Sequence, residues 1–259
     1  MSGATAQDLR RAEQGLAEAM RVVRRHAERE VAVEWKQGGS PVTVVDREVD
    51  ALLRGLLPGD GDGWLSEESI DDAARLERRR VWVVDPLDGT RAFVAGRTDY
   101  AVSIGLLVDG APALGVVGNP ATGVCIAGGP GLGLEVRGAP EWVWPADPGG
   151  PRVLASRSEM RRGEWRNVAA RAAVRPVGSV AYKLALVAGG FADVTWTLHP
   201  KHEWDVAAGA ALVCAAGGEI WLPRGGHLSW NRSRPRFTSF AAARPGCRAL
   251  VEPWIAPPR

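Results

Sequence analysis

The chain is poor in cysteine: Cys125, Cys214 and Cys247 are the only three in 259 residues, isolated from one another and odd in number. They have no metal-ligand spacing and form no disulfide framework, so they read as reduced thiols and the chain as cytoplasmic. No apolar run approaches membrane-spanning length, so no membrane partner is expected. A signal-peptide core is missing too. In its place Leu9, Ala12, Leu16, Met20, Val23 and Ala27 recur at helical spacing among Arg, Glu and Gln, the pattern of an amphipathic core-packing helix. Net charge is only +2, and Arg78-Arg79-Arg80 has no companion basic stripe, which argues against a nucleic-acid polymer as partner. The stretch Gly128 to Gly133 lacks the Gly-Lys-Ser/Thr of a phosphate loop and reads as an exposed turn. There are no internal repeats.

What is present is an ordinary globular composition, 46% hydrophobic and 24% charged, in a chain long enough for one large or two modest domains. After the first helix, Val31 to Trp35 reads as a strand and Gln37 to Pro41 as a loop. Thr43 to Asp46 begins a second helix, carried on by Val49, Leu52, Leu53 and Leu56 and stopped near Pro58-Gly59. Tyr100 to Ala127 reads as short strands split by Asp109-Gly110 and Asn119-Pro120, hence antiparallel. The Gly- and Pro-rich stretch Glu141 to Pro151 suggests a boundary between an α+β domain at 1–150 and an α/β domain at 151–259. The second half gives strands at Arg152–Ser156 and Ala192–Trp196 and helices at Met160–Ala173, Val180–Ala188 and Val206–Ala216, with further strands near Ile220 and Phe237. The eleven tryptophans read as packing.

The most informative segment is Val81 to Arg91, an apolar strand running into Asp85, Asp88, Gly89 and Thr90. Two carboxylates three apart on a strand-end turn can face one cation cluster. Pro86 stiffens the turn, Gly89 admits a close ligand, and the N–H groups of Gly89 and Thr90 would open a short helix, a natural phosphate seat. Mg²⁺ is usually shared between a few carboxylates and a substrate phosphate. The same residues also fit plain Asp-Pro and Asp-Gly turn punctuation.

Asp85-Pro86-Leu87-Asp88-Gly89-Thr90 resembles the Asp-Pro-(Ile/Leu)-Asp-Gly-Thr signature of the inositol monophosphatase superfamily of metal-dependent, lithium-sensitive phosphatases. Upstream, Trp64-Leu65-Ser66-Glu67-Glu68-Ser69 is similar to its Gly/Ser-Glu-Glu segment. Downstream, Glu203-Trp204-Asp205-Val206-Ala207-Ala208-Gly209 and Ala215-Ala216-Gly217-Gly218 resemble its Trp-Asp block. The resemblance implies an α/β fold layered α/β/α/β/α with the site between the halves, and two or three Mg²⁺ ions. It implies that Glu67, Asp85 and the carbonyl of Leu87 hold one metal, and that Asp85, Asp88 and Asp205 hold a second. Thr90, with Glu67 or Asp46, would orient and deprotonate the attacking water. Read by itself, Asp205 is equally a helix N-cap.

Within the superfamily, Lys36 to Asp46 resembles the Lys…Ser-Pro-Val-Thr-x-x-Asp segment of the 3′(2′),5′-bisphosphate nucleotidases, although some histidinol-phosphatases share Ser-Pro-Val-Thr. Ser156-Arg157-Ser158 is similar to their Ser-Arg-Ser-His, with Glu159 in place of the histidine. Gly178-Ser179 with Lys183 resembles their Gly-Ser-x-x-x-Lys, which implies that Ser179 and Lys183 meet a second phosphate, while Gly89 and Thr90 meet the first. Thr195 to His202 lacks the acid that inositol monophosphatases carry, and also the nucleotidases' arginine, leaving His199, Lys201 or His202 to substitute. The implied function is a Mg²⁺-dependent hydrolase converting adenosine 3′,5′-bisphosphate to AMP, a small phosphorylated substrate, in a monomer or homodimer. Inositol-1-phosphate, histidinol phosphate or a sugar phosphate are the alternatives within that chemistry, and a non-catalytic phosphate-binding module the alternative outside it.

Overall fold

Thr5 starts the first helix, α1 (Ala6–Ala27), by exchanging hydrogen bonds with Asp8: its N–H donates to Asp8 Oδ2 at 2.8 Å and its Oγ1 accepts from the Asp8 N–H at 3.1 Å. In the computed structural model, which describes residues 3–28, 33–35 and 41–255, a short hairpin follows, β1 (Val33–Trp35) and β2 (Pro41–Thr43). The expected strand residues Val31 and Ala32 and the loop 37–40 lie outside the described residues, as does Lys36. Thr43 then caps α2 (Val44–Leu56), with Asp46 at its third position completing the reciprocal pair.

A six-stranded sheet carries the first half. In spatial order it runs β3 (Gly63–Ser66), β4 (Arg80–Asp88), β5 (Ala101–Val108), β6 (Ala111–Gly118), β7 (Cys125–Gly129) and β8 (Gly133–Arg137), with α3 (Thr90–Val94) after β4. Only β3 and β4 pair in parallel; the rest are antiparallel, as the Asp109-Gly110 and Asn119-Pro120 breaks implied. The turn expected over Gly128–Gly133 is shorter, because Gly128 and Gly129 are buried strand residues paired to β8.

The second sheet is ordered β10 (Ala173–Val177), β9 (Arg152–Ser156), β11 (Val194–Thr197), β15 (Phe240–Ala243) and β13 (Glu219–Trp221), and a two-stranded ribbon joins β12 (Lys201–His202) to β14 (Arg236–Phe237). Its helices are α4 (Arg157–Arg161), α5 (Arg166–Ala169), α6 (Val180–Ala188), α7 (Glu203–Ala215) and α8 (Arg248–Ile255). The single helix expected over 160–173 is broken by Gly163, at φ +79°, and its last residue instead joins β10, which pairs in parallel with β9.

The layers follow from what each apolar face touches. α1 and α2 cover one face of the six-stranded sheet, packing Leu16, Val49 and Leu53 on Trp82, Ile104 and Leu106. α6 and α7 fill the space between the sheets, where Leu184, Leu212 and Val213 meet Val117 and Ile126 on one side and Leu154 and Ala242 on the other. α8 and the Trp165–Val168 segment close the far face with Trp196, Ala241 and Val251. This is the expected α/β/α/β/α order. Among the described residues no helix is long and apolar enough to cross a membrane.

α7 lies on the six-stranded sheet without intervening side chains. A Cβ on Gly115 would stand 2.1 Å from the carbonyl oxygen of Ala208, and one on Gly105 would stand 3.0 Å from the Ala208 nitrogen. Gly115→Ala must push backbone from backbone. It is expected to cost at least about 2 kcal/mol, the middle of the overpacking range, and so to lower the melting temperature by several degrees. Gly55→Ala in α2, where nothing lies within 4 Å of the new methyl, should leave stability unchanged or raise it by up to about 1 kcal/mol. Thermal melts of the two variants make the comparison.

Candidate active site

The parallel register of β3 on β4 sets Ser66 beside Val84, so the next residues, Glu67 and Asp85, emerge side by side at the carboxyl ends of both strands. Glu67 is held there from behind: the hydroxyls of Ser66 and Ser69 both donate to the buried carboxylate of Asp50. Nothing in the sequence motif marked Asp50, which lies mid-helix and looks like a solvated position.

The expected turn after Asp85 is instead a bulged continuation of β4. Asp85 pairs with Ser103 and Asp88 with Ala101, three steps on one strand against two on its neighbour. The extra residue changes which carboxylates share a face. In a regular strand, residues three apart point to opposite sides; the bulge turns Asp85 and Asp88 toward the same side. Pro86 is tolerated because a bulge leaves a ladder position unpaired. Gly89 follows at φ +97°, where a Cβ would press on the backbone of Asp99 and Tyr100 at 3.2 Å, and turns the chain into α3.

Asp205 arrives from α7, across the cleft between the sheets. It is not the N-cap residue but the third residue of the helix, and its Oδ2 accepts the N–H of the capping residue His202 at 3.0 Å. The capping role and the cluster role thus fall on one side chain. Glu67, Asp85 and Asp205 present carboxylate oxygens all within 4.8 Å of one another. Asp85 is 1% exposed; its Oδ1 accepts the Leu87 N–H at 3.0 Å, and its Oδ2 is buried with no hydrogen-bond partner. Burial, and then the charges of Glu67, Asp88 and Asp205, holds its carboxyl well above the usual range. Burial, with Asp88 next, pushes Asp205 up to about 8. Crowded hard oxygens with an orphaned buried acceptor fit a divalent cation of the Mg²⁺ type.

Thr90 joins this cluster to α2. Its Oγ1 lies 3.2 Å from Asp46 Oδ1 and 3.0 Å from the Leu87 carbonyl oxygen, and burial raises the Asp46 carboxyl. Asp88 Oδ2 accepts from Ser179 Oγ at 2.7 Å and the Ala181 N–H at 2.6 Å. Ser179 is therefore turned toward Asp88 and is fully buried. Lys183 is 1% exposed on α6, and burial brings its ammonium down to about 8 despite the nearby charge of Glu159.

A cleft of about 320 Å³ opens beside the carboxylates, lined by Glu67, Leu87 to Ala92, Arg97, Ser156 to Ser158, Arg161, Gly178 and Lys201. Ser179 and Lys183 are not on its wall. Of the three cationic candidates in the 195–202 stretch, only Lys201 is: His199 is engaged by Glu164 at 2.9 Å, and the His202 ring stacks on Trp204 at 4.4 Å. Sequence reasoning missed Arg91, Arg97 and Arg161. The usable signal was spacing, since Arg161 stands one helical turn beyond Arg157. A neighbouring hollow of about 470 Å³ shares Arg97 and Arg157 but reaches none of the clustered carboxylates.

Comparison with known proteins identifies the family and the fold. Residues 6–251 match the inositol monophosphatase family. The chain is 33% identical over 216 residues to the 3′-phosphoadenosine 5′-phosphate phosphatase of Mycobacterium bovis, covering 80% of this chain and 78% of that one. It is 35% identical over 210 residues to the inositol-1-monophosphatase of Mycobacterium leprae, covering 71% and 69%. Among solved structures, the extragenic suppressor protein suhB of Bartonella henselae superposes with a TM-score of 0.78 at 27% identity, over 95% of this chain and 97% of that one. From the strand-end carboxylates to the Trp204-Asp205 helix start, the chain belongs to the inositol monophosphatase family.

Proposed function

We propose that the protein is a Mg²⁺-dependent phosphomonoesterase of nucleoside 3′(2′),5′-bisphosphates, converting adenosine 3′,5′-bisphosphate to AMP and phosphate. One observation carries the choice of substrate: the cleft beside the acidic cluster is lined by five basic side chains, Arg91, Arg97, Arg157, Arg161 and Lys201. A polyol monophosphate brings a single dianion, which cations among the carboxylates already match. Arginines and lysine beyond them suit a second phosphate. The relative named 3′-phosphoadenosine 5′-phosphate phosphatase supports this reading, and the inositol-1-monophosphatase at similar identity supports the competing one. The basic wall favours the first. In this reading the domains 1–150 and 151–259 meet at the cleft, and the reaction takes place in the cytoplasm.

Glu67, Asp85, the Leu87 carbonyl, Asp88 and Asp205 would hold two or three Mg²⁺ ions. Bound there, Mg²⁺ supplies neutralisation of phosphate charge and a lower cost of ionising water. The chain does the rest. Ser179 and the Ala181 N–H hold one oxygen of Asp88, a residue of the cleft wall. Thr90, hydrogen-bonded to Asp46, orients the attacking water and passes its proton to that carboxylate, whose proton affinity burial raises above the usual range. Gly89 and Thr90 receive the phosphate that is cleaved.

Phosphate release from a panel of adenosine 3′,5′-bisphosphate, inositol-1-phosphate, histidinol phosphate and fructose bisphosphate tests the assignment; highest kcat/KM on inositol-1-phosphate would replace it. Asp88→Asn retains an acceptor for Ser179 and Ala181 but removes the charge. Circular dichroism should match wild type while turnover falls by orders of magnitude, and normal turnover would remove Asp88 from the metal set. Ca²⁺, with its looser coordination, should lower activity, and Li⁺ should inhibit.

The raised carboxyls also set a pH dependence. An acid held at about 8 in the fold, such as Asp205, keeps its proton better folded than unfolded. Stability of the metal-free protein therefore falls as pH rises from about 4 to about 8. Mg²⁺ replaces that proton, so saturating Mg²⁺ should raise the melting temperature more at pH 8.5 than at pH 5.5. A shift independent of pH would mean that the carboxylates do not bind the ion together.

A further inference from the structure

If the substrate carries a phosphate that is not cleaved, something must hold it, and the side chains first expected to do so face elsewhere. The Ser179 hydroxyl is buried and donates to Asp88, and Lys183 is buried on α6 off the cleft wall. On the wall opposite the carboxylate strand stand Ser156, Arg157, Ser158, Arg161, Gly178 and Lys201. Arg157 has its charge matched, its Nη2 and Nε lying 2.6 Å and 3.1 Å from Asp99 Oδ2. Arg161, one turn further along α4, is exposed and makes no salt bridge among the described residues. Lys201 stands on the adjoining ribbon, near enough to Asp88 and Asp205 for its charge to bear on both carboxyls. The two segments are brought together just behind the wall, where Arg162 lies 3.1 Å from the His199 ring and Glu164 takes the same nitrogen at 2.9 Å.

We propose that Arg161 and Lys201 are specificity-determining residues that bind the uncleaved phosphate of a bisphosphorylated substrate, in the place the sequence resemblance gives to Ser179 and Lys183. The inference rests on the bisphosphate reading above. Lys201 stands on the inner side, between the two phosphates, and Arg161 at the outer rim offers a planar fork that can grip two oxygens. Arg157, braced by Asp99, forms the wall between the cleft and the neighbouring hollow and keeps its guanidinium fixed.

The test compares adenosine 3′,5′-bisphosphate with adenosine 3′-monophosphate, which offers the same scissile ester without the second phosphate. Wild type should prefer the bisphosphate. In Arg161→Ala the ratio of kcat/KM for the two substrates should fall about tenfold to hundredfold, the worth of one charge-assisted contact, chiefly through KM. Arg161→Lys should restore part of the ratio, since it keeps charge and loses the fork. An unchanged ratio in Arg161→Ala, with wild type still preferring the bisphosphate, overturns the role of Arg161 while leaving the bisphosphate reading standing. No preference in wild type overturns both, and the wild-type measurement alone tells these outcomes apart. Arg161 is exposed, so the variant is expected to fold, and circular dichroism checks this.

Discussion

Everything near the site answers to one constraint: acidic side chains must be packed at close quarters, partly out of water, without forcing one another apart. Two charged carboxylates within 4.8 Å of each other repel by at least about 3.5 kcal/mol at an effective dielectric of about 20. No single local device could hold four against that. The fold distributes the work over independent elements. Two parallel strands hold Glu67 and Asp85, a bulge swings Asp88 onto their side, and the first turn of α7 delivers Asp205 from the other half of the molecule. Each carboxylate has a backbone or hydroxyl donor fixing it, or a neighbour that does. A hard cation is the natural relief of the remaining strain, so the same crowding that raises the acids suits the site to a metal ion.

The placing of Asp205 depends in turn on contacts some distance from it. Glu203, fully buried two residues earlier, accepts from the N–H groups of Asn231 and Arg232 and from the Arg232 side chain. Asn231 exchanges hydrogen bonds with the buried Arg75. This chain runs from the segment before β4 through the loop before β14 to the head of α7, so both sides of the cluster share one polar brace. A buried glutamate with these partners is a structural ion pair; its raised proton affinity follows from burial.

Much of this was legible in the sequence where the physics is local. The caps at Thr43 and Asp46, the apolar stripe of α1, the strand breaks at Asp109-Gly110 and Asn119-Pro120, and the acidic motif all depend on neighbours a few residues away. The bulge in β4 was not legible, because it is defined by a partner strand, and an Asp-Pro-Leu-Asp-Gly string reads equally well as a turn. The end of the helix expected over 160–173 failed for the same kind of reason: Ala173 pairs with Arg152 of β9, and only that pairing makes it strand. Lys183 shows the limit most plainly. A motif match supplies a residue type and a spacing, but whether an ammonium lines the cleft or is buried off its wall is decided by how α6 sits between two sheets.

That middle layer has a consequence for how the enzyme handles water. Leu184, Leu212 and Val213 are shared by both sheets, so rotating one half against the other would tear open the apolar interior. A clamshell motion would have to break these shared contacts. In the bisphosphate reading the cleft would meet its substrate with basic side chains already on its wall. Selectivity among phosphate esters would then rest on the pattern of charge along that wall, and a new substrate would mean repainting the rim, one arginine at a time.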